Sequence, residues 1–279
     1  MPHTVCLSFD FDAISLWINN YKATSPSKIS RGEFGVVGAR RLLDLLDHYG
    51  IKATWFVPGH TADSFPDAVA DIFRRGHEVG HHGYCHENPL GLGSEEEERR
   101  ILEKGIASLH KVTGARPVGY RSPAWDLSPW SVNLLMECGF LYDSSLMGDD
   151  FTPYRCRTGD RFDLETAYLF GPTADLVELP VSWDLDDFPA FEYVSLPNKL
   201  YPGLRSPDDV YAIWAANFDY MLRYVPGGVF TLTMHPQVIG RGHRLLMLER
   251  LIEHMLRQPK VRFSRMIDCA QEWVERNTR

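Results

Sequence analysis

The stretch "SFDFDA", residues 8–13, sets Asp10 and Asp12 two positions apart inside an apolar run. Side chains alternate along a strand, so the two carboxylates share one face while Phe9 and Phe11 take the other. At a rise of roughly 3.3 Å per residue the carboxylates stand about 7 Å apart. Two like charges at the edge of a core need something to hold them, either a cationic side chain or a metal ion.

A second cluster, "GHEVGHHGYCHE", places His77, His81, His82 and His86 close together. Taken literally, "HEVGH" is the peptidase string HExxH, in which a helix presents two histidines to zinc and the glutamate acts as base. Gly76, Gly80 and Gly83 argue against a helix there, each costing about 1 kcal/mol in a helix interior, and the segment has no apolar stripe. His82 and His86, around a turn at Gly83, are the better ligand pair, and Asp12 could supply a third, harder ligand. One carboxylate and two imidazoles leave positions for water and substrate, the open arrangement of a catalytic zinc-type site. Either histidine alone would read as a surface residue in a polar loop; the unexplained aspartate pair shifts the balance.

These residues need elements to carry them. Residues 4–12 read as a first strand, followed by a long polar loop and then a helix in "GARRLLDLLDHYGI", where Leu42, Leu43, Leu45, Leu46 and Tyr49 form a stripe that Gly50 ends. "KATWFVPG" reads as a strand and "FPDAVADIFRRG" as a short amphipathic helix. "SEEEERRILEKGIASLHKVTG" opens on a capping box, Ser94 and Glu97, before an apolar face of Ile101, Leu102, Ile106 and Leu109. Its acidic run reads as a solvated first turn. "RPVGYR" is a strand, and "SPWSVNLLMECGF" a helix opened by Ser128 with Pro129 at its first position. Residues 145–200 lack helical period and read as a loop or hairpin elaboration over one mouth. Helix, strand "GGVFTLTMH", helix, and a closing strand and helix follow.

This alternation is the signature of parallel βα units. No repeat or Gly/Ser linker divides the chain, so residues 1–279 are expected to form one α/β domain, an incomplete or distorted (β/α) barrel. Chemistry in such folds collects at the C-terminal ends of strands. Asp12, Arg121 and His235 all fall at predicted strand ends, so they could converge.

Composition narrows the function. With 29 Lys and Arg against 37 Asp and Glu the formal charge is −8, and no basic stripe interleaved with aromatics appears, so nucleic acid is not an expected partner. Cys6, Cys85, Cys138, Cys156 and Cys269 are widely spaced and show no CxxC pair, a reduced pattern rather than a disulfide or cysteine–zinc framework. No signal-peptide pattern opens the sequence and no long apolar run follows, so neither export nor a membrane partner is expected, and the expected location is cytoplasmic.

The motifs "SFDFDA", "HGYCH", "YRSPAW", "LPVSW" and "LTMHPQVIGR", in that order across nearly the whole chain, resemble the metal-dependent polysaccharide deacetylases. The resemblance is greatest to an intracellular branch with peptidoglycan deacetylase-like proteins and the related cyclic imide and allantoin hydrolases. It implies a distorted (β/α) barrel of that family's type and a divalent metal cofactor, zinc by preference. Carried over by position, it makes Asp12, His82 and His86 the metal ligands, Asp10 the general base, Arg121 the residue that orients Asp10, and His235 the general acid. Each role is also chemically sensible: a carboxylate can take a proton from activated water, and imidazole can return one to a departing amine.

The sequence departs from the commoner family pattern in two places. Phe11 separates aspartates that are usually adjacent, with Ala13 in place of Gly, and Ala124 stands where a Tyr is usual, moving the aromatic wall to Trp125. The oxyanion donor implied is the Ala124 backbone N–H, which needs no particular side chain. Trp125 and Trp183 could contact substrate or simply pack. Arg241, with His243 and Arg244, could recognise an anionic or carbonyl-rich substrate or be solvated loop charges.

The expected activity is hydrolysis of non-peptide C–N bonds, removing N-acetyl groups from amino sugars. A cyclic imide or ureide is the alternative small substrate, and a carbohydrate-binding protein without turnover is the alternative from another class. Assembly into a homo-oligomer is left open.

Overall fold

The structure is a computed structural model and describes residues 2–196 and 199–277. The first half runs β1 (His3–Asp10), α1 (Ile14–Asn19), α2 (Pro26–His48), β2 (Thr54–Val57), α3 (Gly59–Ser64), α4 (Pro66–Arg74), β3 (Glu78–His81) and α5 (Glu95–Thr113). It continues through β4 (Gly119–Tyr120), α6 (Ser131–Glu137), β5 (Tyr142–Asp143), β6 (Tyr154–Arg157), β7 (Thr173–Glu178), α7 (Asp187–Phe191), β8 (Val194–Leu196) and β9 (Lys199–Tyr201). The chain then regains βα order with α8 (Pro207–Tyr224), β10 (Val229–Met234), α9 (Pro236–Ile239), α10 (Gly242–Leu256), β11 (Val261–Phe263) and α11 (Met266–Asn277).

The main sheet has the order β10-β1-β2-β3-β4-β5-β7-β6, and β11 pairs the lower half of β1. Every pairing is parallel except β6 with β7. The sheet curls without closing, giving the distorted (β/α) barrel that the motif order implies. Residues 145–200 do more than elaborate a mouth: β7 is a parallel neighbour of β5, and β6 folds back on it as the outermost strand. β8 and β9 pair antiparallel in a separate two-stranded sheet, and α7 precedes them in the chain.

Alternation along β1 sorts its side chains as the sequence predicts. Val5, Leu7, Phe9 and Phe11 join Trp55 and the Leu42, Leu43 and Leu46 stripe of α2 in the largest core cluster; Phe9 and Trp55 rings lie 4.5 Å apart. Cys6, Ser8 and Asp10 face the other way, into the concave side where α11 packs with Cys6, Phe56, Tyr142 and Met266. That side is polar as well as apolar. Glu78 is buried there and accepts hydrogen bonds from Thr54 Oγ1 (2.7 Å), Tyr142 OH (2.9 Å) and the Ile267 N–H (2.9 Å). Residues 78–81 are therefore strand, and Glu78 ties β3 to α11 rather than serving a helical peptidase motif.

Three local expectations change. β1 ends at Asp10, so Asp12 sits in the turn beyond it. The polar loop after β1 is instead α1 and the first three turns of α2, which starts at Pro26. Its glycines are close-approach positions: a Cβ on Gly32 would stand 2.5 Å from the Ala13 carbonyl oxygen, and one on Gly38 would overlap the Pro236 carbonyl. The acidic first turn of α5 is not wholly solvated either, because Glu98 is buried and accepts from the Ser128 and Ser131 hydroxyls. Ser94 caps α5 as expected, its Oγ accepting from the Glu97 N–H at 3.2 Å, and Gly114 ends it at φ 73°.

Candidate metal centre

Parallel strands deliver the polar residues to one place. Asp10 is the last residue of β1, and His82, Arg121 and His235 each follow directly the last residue of β3, β4 and β10. Asp12 and His86 come from the turns after β1 and β3, and their neighbourhood is conformationally forced. Ala13 has φ 47°, His86 φ 58°, Ala124 φ 59° and Trp125 φ 57°, a left-handed backbone that residues other than Gly seldom adopt and that clusters at functional sites.

Asp12, His82 and His86 are all buried, with ligand atoms within 4.8 Å of one another. His82 Nε2 stands 3.4 Å and His86 Nε2 3.8 Å from Asp12 Oδ1, with the two rings nearly perpendicular at 79°. The far nitrogens are engaged: His82 Nδ1 lies 2.7 Å from the Arg121 carbonyl and His86 Nδ1 2.8 Å from Asn20 Oδ1. Both acceptors demand that Nδ1 carry the proton, which leaves the Nε2 lone pairs aimed inward, the tautomer and orientation that bind a metal. Burial drives the His86 pKa down to about 4, against the pull of Asp12, so that ring is neutral at neutral pH. Asp12 Oδ1 is buried with no hydrogen-bond partner among the described residues. Against burial, Asp10 and Asp12 raise the His82 pKa, so the space between these side chains attracts positive charge, and a buried carboxylate oxygen without a geometric hydrogen bond faces it. The triad therefore fits a divalent cation, and the mixed N and O donors suit zinc or a neighbouring transition metal.

Asp10 lies beside this triad. Arg121 Nη1 donates to Asp10 Oδ1 at 2.8 Å and to Ser8 Oγ at 2.8 Å, while its Nε and Nη2 donate to the Ser144 carbonyl (3.0 Å) and hydroxyl (2.9 Å). The guanidinium is inaccessible to solvent and lies 4.3 Å from the Phe56 ring centre. Asp10 Oδ2, the other oxygen, is 3.9 Å from His82 Nε2 and 4.0 Å from His235 Nε2, so it faces the shared space.

His235 approaches from the opposite side, with Nε2 3.8 Å from Asp12 Oδ2. Its Nδ1 is 2.7 Å from Asp187 Oδ1, and its backbone N–H donates to both Asp187 oxygens. Burial opposes the imidazolium, yet Asp186, Asp187 and Asp12 outweigh it and raise the His235 pKa well above its ordinary value. Gln237 Nε2 donates to Asp12 Oδ2 at 3.3 Å.

A cavity of about 540 Å³ opens over these groups, lined by Asp10, Asp12, His82, His86 and His235 together with Ala124, Trp125 and Trp183. The two indole rings are 4.2 Å apart, Trp125 buried and Trp183 half exposed, and form one wall. Nine of the ten residues expected at the site thus line this cavity or, as Arg121 does, hold a residue that lines it. Arg241 is elsewhere: it stacks over the Phe34 ring at 3.5 Å and lines a separate pocket behind Gln237. Asn20, Asp186, Asp187 and Gln237 are site residues that the sequence reading did not single out. "LDDFP" and "INNY" carry no spacing signal, and the Asp187–His235 contact spans 48 residues.

Residues 35–142 match the polysaccharide deacetylase family profile. A peptidoglycan deacetylase of Helicobacter pylori is 39% identical over 288 residues, covering 99% of this chain and 97% of that protein. Among solved structures, a Mycobacterium smegmatis protein assigned to the polysaccharide deacetylases superposes with TM-score 0.85 at 36% identity, over 97% of this chain and 90% of that one. The allantoinase Puue superposes with TM-score 0.74 at 24% identity, over 98% and 89% of the two chains, a likeness of fold.

Proposed function

This chain belongs to the polysaccharide deacetylase family, hydrolases of non-peptide C–N bonds, and we propose that it removes N-acetyl groups from amino sugars, with peptidoglycan-type glycans as the substrate class. The observation that carries the reading is Asp12 Oδ1, buried and unpartnered between two correctly presented imidazoles. We assign Asp12, His82 and His86 as ligands of a divalent cation, zinc by preference. When bound, such an ion would polarise the amide carbonyl and acidify a water molecule.

The protein residues supply the rest. Asp10 Oδ2 takes the proton of the attacking water, and Arg121 fixes that carboxylate through Oδ1 so that only one oxygen is free to accept. The Ala124 N–H, on the left-handed turn of "SPAW", is assigned to the developing oxyanion. His235, protonated and held at Nδ1 by Asp187, gives its Nε2 proton to the sugar nitrogen as the C–N bond breaks; acetate and a free amine result. Trp125 and Trp183 are assigned to the sugar face, where two indoles in contact, tilted by 32°, offer an apolar wall.

A cyclic imide or ureide substrate rests on the motif resemblance to that branch and on the allantoinase fold likeness, and a small ring leaves the Trp183 side of the cavity without a use. The location proposed is the cytoplasm, on the strength of five free cysteines; no helix among the described residues is long and apolar enough to cross a membrane. Residues 1–279 are taken as one catalytic unit.

The test is turnover by metal-replete protein on N-acetylglucosamine oligomers, succinimide and allantoin, with metal analysis alongside. Acetate release from the oligomers that disappears in Asp10→Asn while the metal stays bound is expected. Hydrolysis of an imide or allantoin with no acetate from any glycan would overturn the substrate assignment.

A further inference from the structure

Behind the metal triad, on the far side of Gln237, lies a second pocket of about 170 Å³ that the hydrolytic reading leaves unused. Arg31, Arg241 and Arg244 line it, and the only carboxylate on its wall is Glu192. Glu192 is already committed to Arg31, whose Nη2 also donates to the Tyr193 carbonyl at 2.6 Å. Arg244 is buried, donates to the Val238 and Phe191 carbonyls at 2.8 and 3.0 Å, and keeps its Nε without a partner. Arg241 is exposed and makes no side-chain hydrogen bond among the described residues, touching instead the Phe34 ring.

With Glu192 paired to Arg31, the described residues of the wall hold two further positive charges, on Arg241 and Arg244, and no further carboxylate. Asp187, outside the pocket lining, draws on Arg244 electrostatically but is bound by His235. The backbone adds to the excess. Arg241 is the N-cap of α10 and Arg244 its third residue, and the helix start has neither a capping side chain nor an acidic residue in its first turn. A 15-residue helix presents partial positive charge at that end, where Ser, Asp or Glu would ordinarily stand and where anions bind. Cations gathered around a concavity, some buried and some free, are the arrangement that recognises a planar or tetrahedral oxyanion through guanidinium forks.

We propose that this pocket is an oxyanion-binding site, taking a carboxylate or phosphate group on Arg241, Arg244 and Arg31 at the start of α10, next to but distinct from the metal centre. Gln237 lines the pocket and donates to Asp12, so it is the wall between the two sites.

Calorimetric titration of the full-length metal-loaded protein with malonate and with inorganic phosphate, at constant ionic strength, tests the site. The variants are Arg241→Ala, Arg241→Glu and His86→Ala, the last removing a metal ligand. Saturable binding that weakens at least about tenfold in both Arg241 variants and stays within about twofold in His86→Ala is expected. Tighter malonate would identify a carboxylate ligand and tighter phosphate a phosphorylated one. Binding lost in His86→Ala but kept in the Arg241 variants would mean that the anions sit on the metal, and that result, or no saturable binding of either anion, overturns the proposal. Since no arm measures turnover, the outcome is independent of which bond the enzyme hydrolyses.

Discussion

Arg121 and Asp10 form a 2.8 Å ion pair in which the Arg121 side chain is wholly buried and that of Asp10 is 3% exposed. Breaking such a pair leaves an uncompensated charge in the interior, typically costing 3–5 kcal/mol. Arg121→Met should destabilise the protein by about that amount in urea unfolding. Asp10→Asn also leaves the buried guanidinium without its counter-charge, but an amide oxygen still accepts from Arg121, so it should cost less than Arg121→Met, and the amide can no longer take a proton. The double variant should be more stable than Arg121→Met alone. Equal losses in both single variants would count against Arg121 as the partner of a working base.

The triad predicts a different pattern for Asp12. Asp12→Ala should lose the metal while keeping the fold, since the carboxylate oxygen Oδ1 makes no protein hydrogen bond that folding would miss. A ligand that binds only the folded state raises its stability by mass action. Chelation should therefore lower the melting temperature of the wild-type protein and leave that of Asp12→Ala unmoved. Metal retained in Asp12→Ala, read by elemental analysis, would remove Asp12 from the ligand set.

His235 and Asp187 should act as a unit. Asp187→Asn removes the charge that orients His235 at Nδ1 and helps to keep the ring protonated. Since general acid catalysis contributes typically 10²–10⁴-fold, kcat should fall by roughly 10²-fold or more, with KM and metal content little changed. A large KM change at constant kcat would instead make Asp187 a substrate-binding residue.

Much of this is legible in the sequence. Strand alternation sets Asp10 opposite Phe9, and Arg121 and His235 fall at strand ends because parallel βα units end their strands on one side; Asp12, expected at a strand end, lies in the turn beyond β1, and His82, expected on a turn, directly follows β3. What escaped were contacts between distant segments with no motif of their own, such as Asp187 to His235 and Asn20 to His86. The helical reach of residues 26–37 also escaped. Gly32, Gly35 and Gly38 each lower helix propensity by about 1 kcal/mol relative to Ala, so the local signal reads loop. The compensation is tertiary, since those glycines let α2 lie directly on the backbone at Ala13 and Pro236.

That contact predicts an effect on catalysis from outside the cavity. A Cβ at Gly38 would run into the Pro236 carbonyl, and Pro236 directly follows His235. Gly38→Ala should raise intrinsic helix propensity yet destabilise the protein by about 1–3 kcal/mol through overpacking. The displacement of Pro236 should also lower kcat more than it raises KM. At Gly50, where nothing lies within 4 Å of an added Cβ, Ala should leave kcat alone. A stabilised Gly38→Ala would mean that the helices part without strain.

Acid should unfold the protein partly through His77, a residue with no role in the site. Its Nδ1 accepts from the Ala53 N–H at 3.1 Å, and burial, with Lys52 adding, pushes its pKa from 6.5 to about 4 in the folded state. Below pH 6.5 the unfolded chain takes up a proton that the folded protein refuses. The contribution to stability is therefore intact above that pH and drains away as pH falls towards about 4, below which it stays lost. Asn at this position can accept from Ala53 without titrating, so His77→Asn should lose less stability than wild type between pH 7.5 and 4.5, by on the order of 2 kcal/mol in urea unfolding. Parallel pH profiles for the two proteins would show that His77 is already charged in the fold, and that the Ala53 hydrogen bond is not made as described.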